Sequence, residues 1–131
     1  MAFKARQLDA VSRYYTTGER LVYKVVLLNE GGGYDNSTGY FTAPRSGTYL
    51  FTAQVCSGDG TLAVVNIMAN NIPVGTVIHE DATGSWVDCG SGSGIAILSK
   101  GQRAWVQTTH SYTSTLGNSL TSWNSFTGVL I

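Results

Sequence analysis

YDNSTGYFTAPRSGTYLFTA, residues 34–53, sets a Gly-aromatic pair before a proline corner and follows it with an alternating run. In that run Tyr49, Phe51, Ala53 and Val55 share one parity, and Thr52 and Gln54 the other. Side chains of a strand alternate between faces, so this is a strand with one face buried and one wet. Pro44 has no amide to give to a ladder and ends the short strand before it. Gly39 and Gly47 suit a tight corner. A turn, a short strand, a corner and a long strand therefore occupy one contiguous stretch.

Outward from there the chain reads as strands. The segments are 2–7, 20–29, 39–43, 47–56, 61–69, 72–78, 93–99, 102–110 and 125–131. Breakers separate them: EGGGYDNS, PRSG, SGDG, NNIP, SKGQ and the polar SYTSTLGN. No window keeps a helical apolar period over three turns, and no fixed repeat is visible. Many short strands without a helix define an antiparallel sandwich, barrel or jelly roll. The 131 residues suit a single domain, 1–131, large enough to bury its own core.

Charged residues make up only 12% of the chain, and eight basic residues balance eight acidic ones. No field of one sign points to nucleic acid or to an anionic membrane, so neither is an expected partner. No segment has the length of a membrane-spanning helix. VVLL at 25–28, IAIL at 95–98 and VLI at 129–131 are apolar at both parities. A sandwich covers only one face of each sheet, so a second apolar face calls for another copy of the chain.

The motifs together resemble the globular head domain of complement component 1q. The resemblance rests on Tyr34, Asp35, Thr38, Gly39, Phe41, Pro44, Gly47, Tyr49 and Phe51, in that order and spacing. AFKAR at 2–6, Asn29 before a Gly-rich turn, SGSGIAILSKGQRAWVQ at 91–107 and SFTGVLI at 125–131 extend it over the whole chain. Gln102 stands where that family usually has Asp, and Tyr23 where it has Phe. No Gly-X-Y tract precedes the domain. The chain is most similar to stand-alone secreted heads of invertebrates, molluscs above all. The resemblance implies a ten-stranded antiparallel jelly-roll β-sandwich and a homotrimer. Ala96, Leu98, Val129 and Ile131 are the expected interface residues. Phe126 and Leu130 are expected to meet Tyr49 and Phe51 from the opposite sheet, with Gly128 making room for an aromatic across the core.

The opening MAFKARQ lacks the apolar core of a secretory signal. The chain is either cytosolic or a secreted one whose signal has been removed, and the resemblance favours secretion. Cys56 and Cys89 fit no zinc spacing; they are two buried thiols or one disulfide, and in either case are expected close in space. Asn36-Ser37-Thr38 is a glycosylation acceptor pattern, or simply a turn.

Enzyme chemistry finds little support. His79 beside Glu80 and Asp81 imitates a catalytic cluster, but consecutive residues point different ways, so a solvated turn is expected. There is no GxSxG elbow, and the glycine clusters precede no helix. No cofactor is required. Glu80, Asp81 and Asp88 are weak calcium candidates, a cation some relatives of the family hold.

The expected ligand is a microbial or cell-surface glycan. The closing strand runs toward the pole bearing the C-terminus, so residues 111–124, the longest polar connection, lie at the other pole. His110, Tyr112, Asn118, Trp123 and Asn124 frame it. Aromatic rings cover the C–H faces of sugars, and amides pair with their hydroxyls. The expected function is an innate-immune pattern-recognition protein, lectin or opsonin, acting by multivalency. The alternatives are a signalling ligand like tumour necrosis factor, or a matrix or shell component.

Overall fold

A computed structural model describes residues 1–7, 13–57, 61–80, 88–109, 114–116 and 123–131. Its strands are β1 Ala2–Arg6, β2 Arg13–Tyr15, β3 Val25–Glu30, β4 Phe41–Thr42, β5 Gly47–Ser57, β6 Leu62–Ala69, β7 Ile72–Glu80, β8 Asp88–Leu98, β9 Arg103–Thr108, β10 Ser114–Leu116 and β11 Ser125–Leu130. A five-stranded sheet, β3-β1-β11-β5-β8, faces a four-stranded sheet, β4-β9-β6-β7. A ribbon of β2 and β10 completes the set. Every pairing is antiparallel, and the fold is the all-β jelly roll expected from the sequence.

The opening stretch makes the corner. Asp35 Oδ1 accepts from the Ser37 amide at 2.8 Å and from the Ser37 hydroxyl at 2.6 Å. Those bonds favour the ionised carboxyl and hold it below the usual carboxylate range. The Asp35 carbonyl accepts the Gly39 amide at 2.9 Å, which closes the turn. Past the corner, the Tyr49 hydroxyl donates to the Arg45 carbonyl at 2.6 Å and ties the long strand back to the bend. The Tyr34 hydroxyl donates to the Tyr23 carbonyl and accepts from the Tyr23 amide. Burial pushes that phenol up to about 12.

The core is aromatic. Phe41 of the four-stranded sheet packs 4.7 Å from Phe3 and 5.4 Å from Tyr49, both on the five-stranded sheet, measured between ring centroids. Phe126 and Leu130 do not approach from the opposite sheet. β11 lies beside β5, with Phe126 opposite Ala53 and Leu130 opposite Tyr49, so these residues are lateral neighbours. Gly128 likewise makes room for its own sheet. A Cβ there would come within 2.4 Å of Phe3 and 2.9 Å of Phe51, the rings on either side.

The pairing of β5 with β8 also decides which face of IAIL turns outward. Ala96 is opposite Tyr49, and Leu50 is opposite Ile95. Directly paired residues share a face, so Ala96 and Leu98 point inward, and Leu98 is fully buried. Ile95 and Ile97 point outward and are 60% and 81% exposed. Of the four interface residues expected from sequence, Val129 and Ile131 lie on the open face and Ala96 and Leu98 do not.

Cys56 and Cys89 are direct cross-strand partners and are disulfide-bonded. The bond clamps β5 to β8 at the pole away from the chain termini.

Tyr23 is fully buried, and its hydroxyl has no hydrogen-bond partner among the described residues. Burial pushes this phenol well above its ordinary value. An unsatisfied buried hydroxyl costs about 1–3 kcal/mol, and Phe keeps the ring while removing the hydroxyl. Tyr23→Phe is therefore expected to stabilise the fold by about 1 kcal/mol in urea unfolding. A loss of stability would show that the hydroxyl does have a partner.

Candidate functional site

Among the described residues, two clefts lie on opposite outer faces of the sandwich. The first is at the polar end of the five-stranded sheet. On its outer face, Arg6 of β1, Ser125 of β11 and Gln54 of β5 form one cross-strand row. Lys4 and Leu27 lie beside them, and Trp123 forms the end wall of a cleft of about 310 Å³. The Arg6 guanidinium stacks on the Trp123 ring, 3.9 Å from its centroid. The Trp123 carbonyl accepts from Gln54 Nε2 at 2.8 Å, which fixes the entry to β11. The cleft offers one half-exposed indole, one amide, one hydroxyl and two cations. That set can cover a sugar face and hydrogen-bond its rim.

The neighbouring residue has a different job. Asn124, expected as a ligand contact, is fully buried. Its Oδ1 accepts the Cys56 amide at 2.8 Å, and its carbonyl accepts the Gln7 amide at 3.0 Å. Buried and spent on tying the entry to β11 to β5, this side chain is a strut and cannot reach a ligand. The connection 111–124 is also not one continuous loop. Residues 114–116 form β10, antiparallel to β2, and Leu116 is fully buried. His110, Tyr112 and Asn118 lie outside the described residues.

Glu80 ends β7 and Asp88 begins β8; both are exposed, and Asp81 lies outside the described residues. Among the described residues no group of three His, Cys, Asp or Glu is placed to hold a metal ion. The IHED segment is not a solvated turn through His79. That residue belongs to β7 and is half-buried, and a Cβ at Gly90 of β8 would lie 3.4 Å from its own Cβ. Asn36 is exposed on the corner turn, and its Nδ2 donates to the Lys24 carbonyl at 3.2 Å.

The second cleft, of about 290 Å³, is on the outer face of the four-stranded sheet near the chain termini. Tyr40, Asn70, Asn71, Gln102, Arg103 and Trp105 line it. Sequence reasoning missed it. Trp105 and Tyr40 read there as strand aromatics and Asn70-Asn71 as a turn, and nothing in their spacing says that the three segments meet.

The jelly roll is charge-poor, with shallow polar clefts and an open apolar face. Residues 2–131 match the C1q domain family, and the chain belongs to that family. It is 34% identical over 100 residues to complement C1q tumor necrosis factor-related protein 2 of Mus musculus, covering 75% of this chain and 33% of that protein. It is 31% identical over 81 residues to heavy metal-binding protein HIP of Mytilus edulis, covering 62% of this chain and 38% of that protein. The match thus spans about a third of the length of these relatives. Among solved structures, the globular domain of zebrafish complement 1qA superimposes with a TM-score of 0.75 at 18% identity, covering 99% of this chain and 96% of that one. Murine APRIL does so with a TM-score of 0.66 at 15% identity, covering 99% and 98%. These structures share the fold.

Proposed function

We propose that this chain is a secreted, non-enzymatic recognition module that binds microbial or cell-surface glycans as a homotrimer. The observation that carries the reading is the outer face of the five-stranded sheet. Val129, Leu50 and Ile95 line up in one cross-strand row, with Ile97, Ile131 and Leu28 close by. Five of these six are exposed, Leu50 being half-buried; no charged residue stands between Val129 and Ile95, while Lys4 separates Leu28 from β11. A patch of this kind favours burial against another copy. The Trp123 cleft opens at the polar end of the same face. A neighbour covering the apolar row would wall that cleft, giving each trimer three equivalent sites. Three weak sites on one particle gain avidity on a repetitive surface. The disulfide suits an oxidising compartment and supports secretion. Far-pole contacts from His110, Tyr112 and Asn118, and calcium at Glu80, Asp81 and Asp88, are part of the proposal.

The test has two arms. Ile97→Asp places a charge on the most exposed apolar side chain of the row, so light scattering is expected to move from three times the 14.0 kDa chain mass to the chain mass itself. An unchanged parent mass equal to one chain would refute the trimer. On a glycan array, Trp123→Ala is expected to lose about tenfold or more in binding while remaining trimeric, as loss of one stacked aromatic contact implies. A parent that binds no glycan but saturably binds a cell-surface receptor would favour the signalling-ligand reading instead.

A further inference from the structure

The cleft on the four-stranded sheet is lined almost wholly by hydrogen-bond donors. Arg103 enters from β9; its guanidinium lies 4.7 Å from the centroid of the Tyr40 ring and makes no hydrogen bond or ion pair among the described residues. Arg20 stacks on the same ring at 4.0 Å and donates to the Tyr40 hydroxyl at 2.7 Å. That hydroxyl is already an acceptor, so its proton is left to donate. Gln102 Oε1 accepts the Ser99 amide at 2.8 Å, which fixes the side chain and leaves its NH₂ without a partner among the described residues. The indole NH of Trp105 is spent on Gln107, so the ring serves as an apolar floor.

The frame is rigid. Asn70 and Asn71 are the two residues of the β6–β7 turn, with φ of 49° and 63°. The Asn70 amide donates to the Arg103 carbonyl at 2.9 Å and staples that turn to β9. Both Asn side chains are exposed and lack hydrogen-bond partners among the described residues. Two guanidiniums share one ring, and no carboxylate among the described residues lines the cleft. The described ion pairs lie elsewhere, between Arg13 and Glu19 and between the N-terminus and Glu30. Like charges held together without a counter-charge repel each other, and an entering anion relieves that repulsion.

We infer that this cleft binds the anionic group of an acidic saccharide, a uronate carboxylate or a sulfate ester. Arg103 makes the paired contact, Tyr40 and Gln102 donate to the remaining oxygens, and Asn70 and Asn71 bond the ring hydroxyls. A planar guanidinium fork matches such oxyanions geometrically, which a lysine does not. Four amide or hydroxyl groups around the Arg103 cation suit a hydroxyl-rich ligand better than a bare phosphopeptide. The site stands apart from the Trp123 cleft, on the other sheet and at the other pole.

The test is calorimetric titration of the whole chain with unsulfated chondroitin tetrasaccharide, its 6-sulfated form, neutral chitotetraose and a phosphoserine peptide. Both acidic saccharides are expected to bind more tightly than chitotetraose, and to weaken as salt rises. Equal affinity for the two identifies the uronate as the bound group, and preference for the second identifies the sulfate. Arg103→Gln is expected to weaken binding about ten- to a hundredfold, as for a lost bond to a charged group. Arg103→Lys should lose less. Arg103 is exposed and makes no hydrogen bond or ion pair among the described residues, so these variants keep the fold, which unchanged thermal unfolding verifies. The inference is overturned if Arg103→Gln binds normally, if chitotetraose binds as well as the acidic chains, if only the phosphopeptide binds, or if Trp123→Ala alone abolishes binding.

Discussion

Gly39→Ala is expected to cost more than about 4 kcal/mol in urea unfolding, or to leave no folded protein, because two penalties coincide at this residue. Gly39 has a φ of +82°, a conformation that costs a residue with a Cβ about 1–2 kcal/mol. A Cβ would also come within 2.4 Å of the Leu21 carbonyl oxygen and 3.2 Å of the Val22 Cα. Both obstacles are main chain, so no side-chain rotation clears them. The neighbourhood cannot slide either. The Leu21 amide donates to the Val106 carbonyl at 2.8 Å, and the Gly39 amide is held by Asp35. Relief would have to break one of those bonds or shift the corner that starts the four-stranded sheet. The comparison variant is Gly32→Ala. Gly32 also has a positive φ, of 69°, but a Cβ there meets nothing within 4 Å. That substitution should cost only the conformational part, about 1–2 kcal/mol. If the two variants lose equal stability, the close approach at Gly39 is not what the corner depends on.

The corner was legible because its chemistry is local. Asp35, Ser37, Gly39 and Pro44 each act within a few residues of themselves, and strict alternation in 47–56 leaves one choice of inner face. The parts that went unread depend on partners distant in sequence. IAIL is apolar at both parities, so alternation alone cannot choose a face; the register against Tyr49 and Leu50 does. β8 starts at Asp88, well before its apolar stretch, because the long β5 pairs with residues whose own composition of Gly, Ser and Asp is poor for strands. β2 and β10 are three residues each, and only their mutual pairing makes them strands.

The site followed the same rule. Trp123 was legible as an aromatic at the edge of a polar segment. Asn124 has the same polarity as a sugar-binding amide, and its burial follows only from the packing of β11 against β5. The Tyr40–Arg103 cleft was invisible because its lining comes from three separate turns and strands, each with an ordinary reading of its own. An arginine with no partner among the described residues becomes a signal only once the fold has brought the three segments together.

Replacing both cysteines, Cys56→Ser with Cys89→Ser, is expected to lower the free energy of unfolding by about 4 kcal/mol on the chain-entropy account. The cysteines are 33 residues apart, and the bond removes from the unfolded chain the freedom of the loop between them. In the folded state the substitution changes little else. The two positions are already paired across β5 and β8, and the Cys56 amide keeps its bond to Asn124. The double variant is needed because a single one would leave a buried, reactive thiol. Reducing the parent with dithiothreitol should give the same shift, which separates loss of the crosslink from effects of the serine hydroxyls. Protomer concentration must be held constant, since an assembling protein gains apparent stability by mass action. The neighbouring ladder supplies the counter-argument. β5 and β8 pair continuously from Gly47–Leu98 to Ser57–Asp88, and a ladder of that length could keep the unfolded ends from mattering. If the variant unfolds within about 0.5 kcal/mol of the parent, the size of an ordinary surface substitution, the ladder alone fixes this pole. If the full loss appears, the disulfide anchors the end of the sandwich where the Trp123 cleft opens, and glycan binding through that cleft should fall on reduction before the core unfolds.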